Sequence, residues 1–139
     1  MKNKEQIKND LKEFISTDKF STYLHLQPAV ANSTPEDKLF ISTEMNACCT
    51  ALLEALEKPA ITEDQLRQIV RDSLERVKDH GLDTEDEEFC YELYAVIGDI
   101  LGIDIEDHAV SYEQKMMEDL AKLAMKVGID LSKLKSPGK

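Results

Sequence analysis

Four times along this chain a helix-start signal stands directly ahead of an apolar stripe with a 3.6-residue period. That repetition leaves little room for anything but a helical fold. Thr34-Pro35-Glu36-Asp37 offers an N-cap, a proline suited to the first helical position and acids at the positive helix end. Thr62 with Gln65, Thr84 with Glu87 and Ser111 with Gln114 each have capping-box spacing. The stripes behind them are Ile41, Met45, Cys48, Cys49, Leu52, Leu53 and Leu56; then Leu66, Ile69, Val70, Leu74 and Val77; then Phe89, Cys90, Leu93, Tyr94, Val96, Ile97, Ile100 and Leu101; and last Met116, Met117, Leu120, Leu123, Ala124 and Val127. A fifth stripe, Ile7, Leu11, Phe14 and Ile15, comes ahead of these. Lys58-Pro59 stops one helix, and Gly81, Gly102 and Gly128 stop three others.

The sequence therefore predicts helices over 4–16, 35–57, 63–79, 85–101 and 112–127. The fold class is all-α, a single-domain bundle of about five helices over residues 1–139, with the first few residues and 133–139 frayed. Leu24 and Leu26 alternate around His25, but Pro28 stops a strand, so 17–33 reads as an ordered loop. The 85–101 stripe covers more than one face, which makes that helix the expected centre of the bundle. Gly98 within it costs about 1 kcal/mol against Ala, which points to a close helix–helix contact. Ile103 and Ile129, each following a terminal Gly, are placed to fold back as in a Schellman cap.

Composition narrows the class further. Only 5 Gly and 4 Pro in 139 residues is too few for a chain of β-turns. No run approaches 18 consecutive apolar residues, and no apolar segment follows the charged N-terminus as in a secretory signal. Three cysteines, two of them adjacent, fit a reducing compartment, so the expected location is cytoplasmic. No metal or disulfide is expected to be needed for folding, because a chain of this size can bury an adequate core.

Catalytic motifs are missing. The chain has no G-x-S-x-G, P-loop, G-x-G-x-x-G or H-E-x-x-H, so no catalytic residue is assigned. His25, His80 and His108 are scattered, and none has a second His or a Cys at ligand spacing. His80 suits the negative end of its helix. Cys48, Cys49 and Cys90 sit in apolar stripes with nothing basic beside them in sequence, which is the pattern of core packing. Asp104, Glu106 and Asp107 resemble part of a calcium loop. The pattern fails where Ala109 replaces the required Gly and Lys115 the terminal Glu. No metal and no cofactor are assigned.

One feature remains. From Asp79 to Glu113 there is no Lys or Arg, and there are twelve acids: Asp79, Asp83, Glu85, Asp86, Glu87, Glu88, Glu92, Asp99, Asp104, Glu106, Asp107 and Glu113. The rest of the chain carries 17 basic and 16 acidic residues, so the net charge of −11 resides in this stretch. Such a field repels nucleic acid and anionic membrane and attracts a basic protein surface. The candidate partner-binding residues are Glu85, Glu88, Glu92, Asp99, Asp104, Glu106 and Asp107. The plainer reading is a solvated, helix-capping acidic face.

The run from Thr84 through Glu85-Asp86-Glu87-Glu88-Phe89-Cys90-Tyr91 to Gly102-Ile103 resembles the central acidic-then-apolar helix of a small bacterial family, domain of unknown function 4844. Asp18-Lys19-Phe20 and the helix around Asn46 fit the same outline, and the resemblance covers residues 10–105. It implies a bacterial, helical protein and carries over no site residues. After Ile103 the chain departs from the Ser- and Gly-containing ending the family implies, with Asp104-Ile105-Glu106-Asp107 and a further helix. Together these observations point to a non-catalytic protein-binding module, such as an immunity or inhibitor-type partner of a basic protein. A small-ligand or carboxylate-based enzymatic domain and a self-associating helical scaffold stay open as alternatives.

Overall fold

In the computed structural model, which describes residues 3–105 and 120–121, Asn3 opens the first helix by accepting from the Glu5 amide at 2.8 Å. Helix α1 (Lys4–Ser16) buries Ile7, Leu11 and Phe14 of its stripe. The chain divides into two units, Met1–His108 and Ala109–Lys139. All four long helices described belong to the first. The helix expected over 112–127, the frayed 133–139 tail, and Glu106, Asp107 and Glu113 lie outside the described residues.

Residues 17–33 are not a loop. They form a short helix α2 (Lys19–Thr22) and two 3-10 helices, Leu24–Leu26 and Pro28–Asn32. These turns are too short to show an apolar period. Their signals are local instead: Asp18 caps Phe20, and the Gln27 side chain accepts from the Ala29 amide ahead of the Pro28 turn.

Helix α3 (Pro35–Leu56) starts where Thr34 accepts from the Asp37 amide at 3.1 Å. Helix α4 (Glu63–His80) has both halves of its capping box, at 3.0 and 3.2 Å. It ends on Gly81 at φ +81°, a conformation that favours a residue without Cβ. Helix α5 (Thr84–Leu101) corrects one expectation. Its cap is Asp83, whose carboxylate accepts from the Asp86 amide at 3.0 Å. Thr84 is already inside the helix, and Glu87, instead of closing a box, is buried and accepts from the Tyr91 hydroxyl at 3.2 Å. The carboxylate one residue earlier can meet the positive helix end as a charged cap. The far end of α5 is the expected Schellman turn: the Gly102 amide donates to Asp99, the Ile103 amide to Gly98, and Ile103 is buried.

Gly98 also differs from expectation. A Cβ there would meet Ile105 Cγ1 at 2.7 Å and Cδ1 at 2.8 Å, so the close neighbour is the chain just past its own helix and not another helix.

Helix α5 packs on α1, α3, α4 and the Pro28–Asn32 turn. It buries ten of its 18 residues, against eight of 22 in α3, so it is the most buried of the described helices, as its two-faced stripe implies. Helix α3 shares the centre and packs on α1, α4 and α5. Its composition alone would suit a membrane span, with a mean hydropathy of 1.2 in an 18-residue window. Here its apolar face is spent on the other helices. Among the described residues there is no strand.

Candidate functional site

The acidic run, once wound into α5, splits into an outer and an inner set. Glu85, Glu92 and Asp99 recur every seven residues, which on a helix places them in one line about 10 Å apart. All three are exposed, and among the described residues no Lys or Arg pairs with them. Asp104 is exposed as well, but Arg67 reaches it, donating from Nε to its backbone carbonyl at 2.7 Å. The same guanidinium holds Asp64 at 3.0 Å.

The inner set is Asp86, Glu87 and Glu88. The sequence groups Glu88 with the outer acids, yet it is half-buried and accepts a hydrogen bond from the Gln27 side chain. Asp86 is 1% exposed. Its Oδ1 accepts from the Ser33 hydroxyl, while its Oδ2 has no hydrogen-bond partner. Burial holds its carboxyl above the ordinary range, the Ser33 hydrogen bond opposes that, and the nearby Asp83 and Asp37 carboxylates add to it. Of the candidate docking residues Glu88 therefore joins Asp86 in tying residues 27–33, the strap between α2 and α3, onto α5.

Three buried polar residues escaped the sequence reading. Glu44 lies on the inward face of α3 at 8% exposure. It accepts from Arg76 Nε at 2.9 Å and Nη2 at 3.1 Å, and from the Ser73 hydroxyl at 2.8 Å. Ser73 also shares a hydrogen bond of 2.6 Å with the Tyr94 hydroxyl. Because Ser73 has one proton and gives it to Glu44, Tyr94 is the donor there. The chain Tyr94–Ser73–Glu44–Arg76 thus joins α5, α4 and α3. Its hydrogen bonds to Glu44 hold the Arg76 guanidinium above its ordinary range. Burial pushes the Tyr94 phenol up. The signal was present: Glu44 interrupts the stripe between Ile41 and Cys48, and Ser73 stands between Val70 and Val77 in the next.

Lys19 is the third. Its ammonium donates to the α1 carbonyls of Phe14 at 2.7 Å and Ile15 at 3.1 Å, to Thr17 at 3.1 Å, and to Asn46 Oδ1 at 2.5 Å. It closes the negative end of α1 and pins it to α3. Burial holds its pKa below the ordinary value.

All three cysteines are unpaired and buried. Burial pushes the Cys48 thiol up to about 12 and raises those of Cys49 and Cys90 as well. Such thiols pack as small hydrophobes and offer no thiolate for chemistry. Lys19 does act on Cys49, lowering its pKa, but less than burial raises it. His80 sits at the end of α4 and stacks on Phe40, centroids 3.6 Å apart. His25 is exposed, and His108 lies outside the described residues. Among the described residues no three His, Cys, Asp or Glu side chains converge on a point that could hold a metal ion.

What fold and site define is an all-α bundle clasped by buried polar ties, with a line of carboxylates along its most buried helix. The chain belongs to the family described as a domain of unknown function (DUF4844), whose model matches residues 1–112. The match runs past Ile103, so Asp104-Ile105-Glu106-Asp107 falls within the family's span. The residues that carried the resemblance meet in space: Lys19 bonds Asn46, and the Phe20 ring lies 5.1 Å from that of Phe89. No curated protein and no solved structure matches the chain.

Proposed function

We propose that this chain works in the bacterial cytoplasm as a non-catalytic protein-binding module, an immunity or inhibitor-type partner of a basic protein. The outer line of α5 is its docking surface. The observation that carries this reading is the exposure of Glu85, Glu92 and Asp99 in one row along a helix whose neighbouring sequence supplies no cation. A row of like charges on a rigid, well-packed helix keeps its field fixed in space, which favours steering of an oppositely charged surface. Nucleic acid and anionic membrane are disfavoured by the same field.

The test is association with a basic partner recovered from the source cytosol, measured for the wild type and for Glu85→Lys, Glu92→Lys, Asp99→Lys combined. Glu88 is left in place because its bond to Gln27 belongs to the fold. The triple variant keeps its melting temperature and associates more slowly, and added salt slows the wild type in the same way, since exposed charges are screened beyond about 8 Å at physiological ionic strength. An acidic partner, or an unchanged association rate at low salt, would sink the proposal.

A further inference from the structure

Asp86 stands where four segments meet: the end of the strap at Ser33, the first turn of α3, the end of α4 and the first turn of α5. A buried carboxylate oxygen with no donor costs the fold the full desolvation of that atom. Here the other oxygen is already taken by Ser33. The charged groups around the junction offer no relief. On α5, Asp83 lies beside Asp86, its Oδ1 accepting the Asp86 amide proton, and Glu87 is engaged with Tyr91. On α3, Asp37 adds a like charge, Glu36 is exposed, and Lys38 is turned to the Ala31 carbonyl at 3.3 Å and the Phe20 ring. On α4, Asp79 is exposed, and His80 Nε2 lies 3.9 Å from Asp37. The strap between Pro28 and Asn32 has no titratable side chain. Two acceptors side by side, one of them buried and without a donor, are reconciled by a proton between them.

We propose that Asp86 carries a proton on Oδ2 in the fold and shares it with the Asp83 carboxylate, making the contact between the strap and α5 a proton-operated clasp. With the proton in place, Asp86 accepts from Ser33 with one oxygen and donates to Asp83 with the other, so its orphaned oxygen gains a partner. When the proton leaves, Asp86, Asp83 and Asp37 become three like charges in one place, and the strap is the element that can lift away. It is held by Val30 and by three side-chain hydrogen bonds, Ser33 to Asp86, Gln27 to Glu88 and Lys38 to the Ala31 carbonyl.

The test follows the Asp86 carboxyl carbon by NMR through a pH titration of the whole chain. It also measures protection against hydrogen exchange at the Val30 and Ser33 amides, which close the strap's own turns. Asp86 titrates above the ordinary Asp range, and protection at both amides falls several-fold as the pH rises through that titration. In Asp86→Asn the amide N–H replaces the shared proton, and protection no longer changes over that range. In Ser33→Ala the Asp86 titration moves higher still, because the hydroxyl that favours the ionised form is gone. Asp86 titrating within the ordinary Asp range overturns the clasp, as does an Asp86→Asn variant with the wild-type pH slope or a Ser33→Ala variant with an unmoved Asp86. If Asp86→Asn fails to fold, the wild-type titration decides alone.

Discussion

Glu44 and Asp86 are both carboxylates taken out of water by the same bundle, and the fold accommodates them by different means. Glu44 sits mid-helix between α3 and α4 and is met by three donors, two from Arg76 and one from Ser73. Asp86 sits at a helix start among other acids, with one side-chain donor and one orphan oxygen. A buried charge is tolerated when it is paired and hydrogen-bonded, and otherwise the group gives up its charge. The middle of the bundle supplies a cation whose stem can lie along the helix while its head, on a side chain 53% exposed, stays in water. The junction of helix ends has no such cation, so neutralisation is what remains.

The contrast breaks most sharply if a carboxylate is put where neither device exists. Ile97 is fully buried on α5. Ile97→Asp should cost more than about 4 kcal/mol and leave the chain largely unfolded by circular dichroism, the range reserved for an unpaired buried charge. A cooperative melt near the wild-type temperature would show the core to be wrongly assigned. Glu44→Ala comes next. It leaves the buried Ser73 hydroxyl without its acceptor and returns the Arg76 guanidinium to water, at about 1–3 kcal/mol in urea denaturation, nearly all of it from Ser73. An unchanged midpoint would mean that the Tyr94–Ser73–Glu44–Arg76 chain contributes nothing to stability.

Asp86→Asn should act in the opposite direction and by less. The folded pKa of Asp86 is raised, so the folded state binds its proton more tightly than the unfolded one. Asp86 therefore favours folding most below the ordinary Asp pKa. That advantage is lost as pH rises through the folded value. At neutral pH the variant, which needs no proton taken up to lie buried there, should have the higher urea midpoint, and the two proteins should converge as the pH falls. A variant less stable than wild type at neutral pH would place Asp86 with Glu44 as a paired carboxylate. Glu92→Lys is the smallest change, within about 0.5 kcal/mol, because an exposed carboxylate needs neither device. A larger shift in melting temperature would mean that the outer line of α5 is not solvent-facing.

Much of this architecture is legible in the residues. Thr34, Thr62, Gly81 and Gly102 mark helix ends that the structure keeps to within a residue or two, because a cap or an αL glycine acts through bonds only three to five residues long. The strap was illegible because 3-10 turns carry no period. The split of the acidic run was half legible. Extending the apolar phase of α5 backwards from Cys90 lands on Asp86, an acid at an inward position, but the Thr84–Glu87 capping-box spacing hid it. The sevenfold spacing of Glu85, Glu92 and Asp99, by contrast, follows from helical geometry alone.

By itself, the amino-acid order determines that this chain is helical, where its long helices in the described region begin and end, and that its charge gathers on one stretch. These are consequences of near-neighbour bonds and of a 3.6-residue period. Which charges face inward, and what meets them there, was decided only in three dimensions. Arg76 reaches Glu44 across 32 residues and Ser33 reaches Asp86 across 53. No local rule connects positions so far apart. Only the packing of α3, α4 and α5 brings a donor to one buried carboxylate and leaves an oxygen of the other without one.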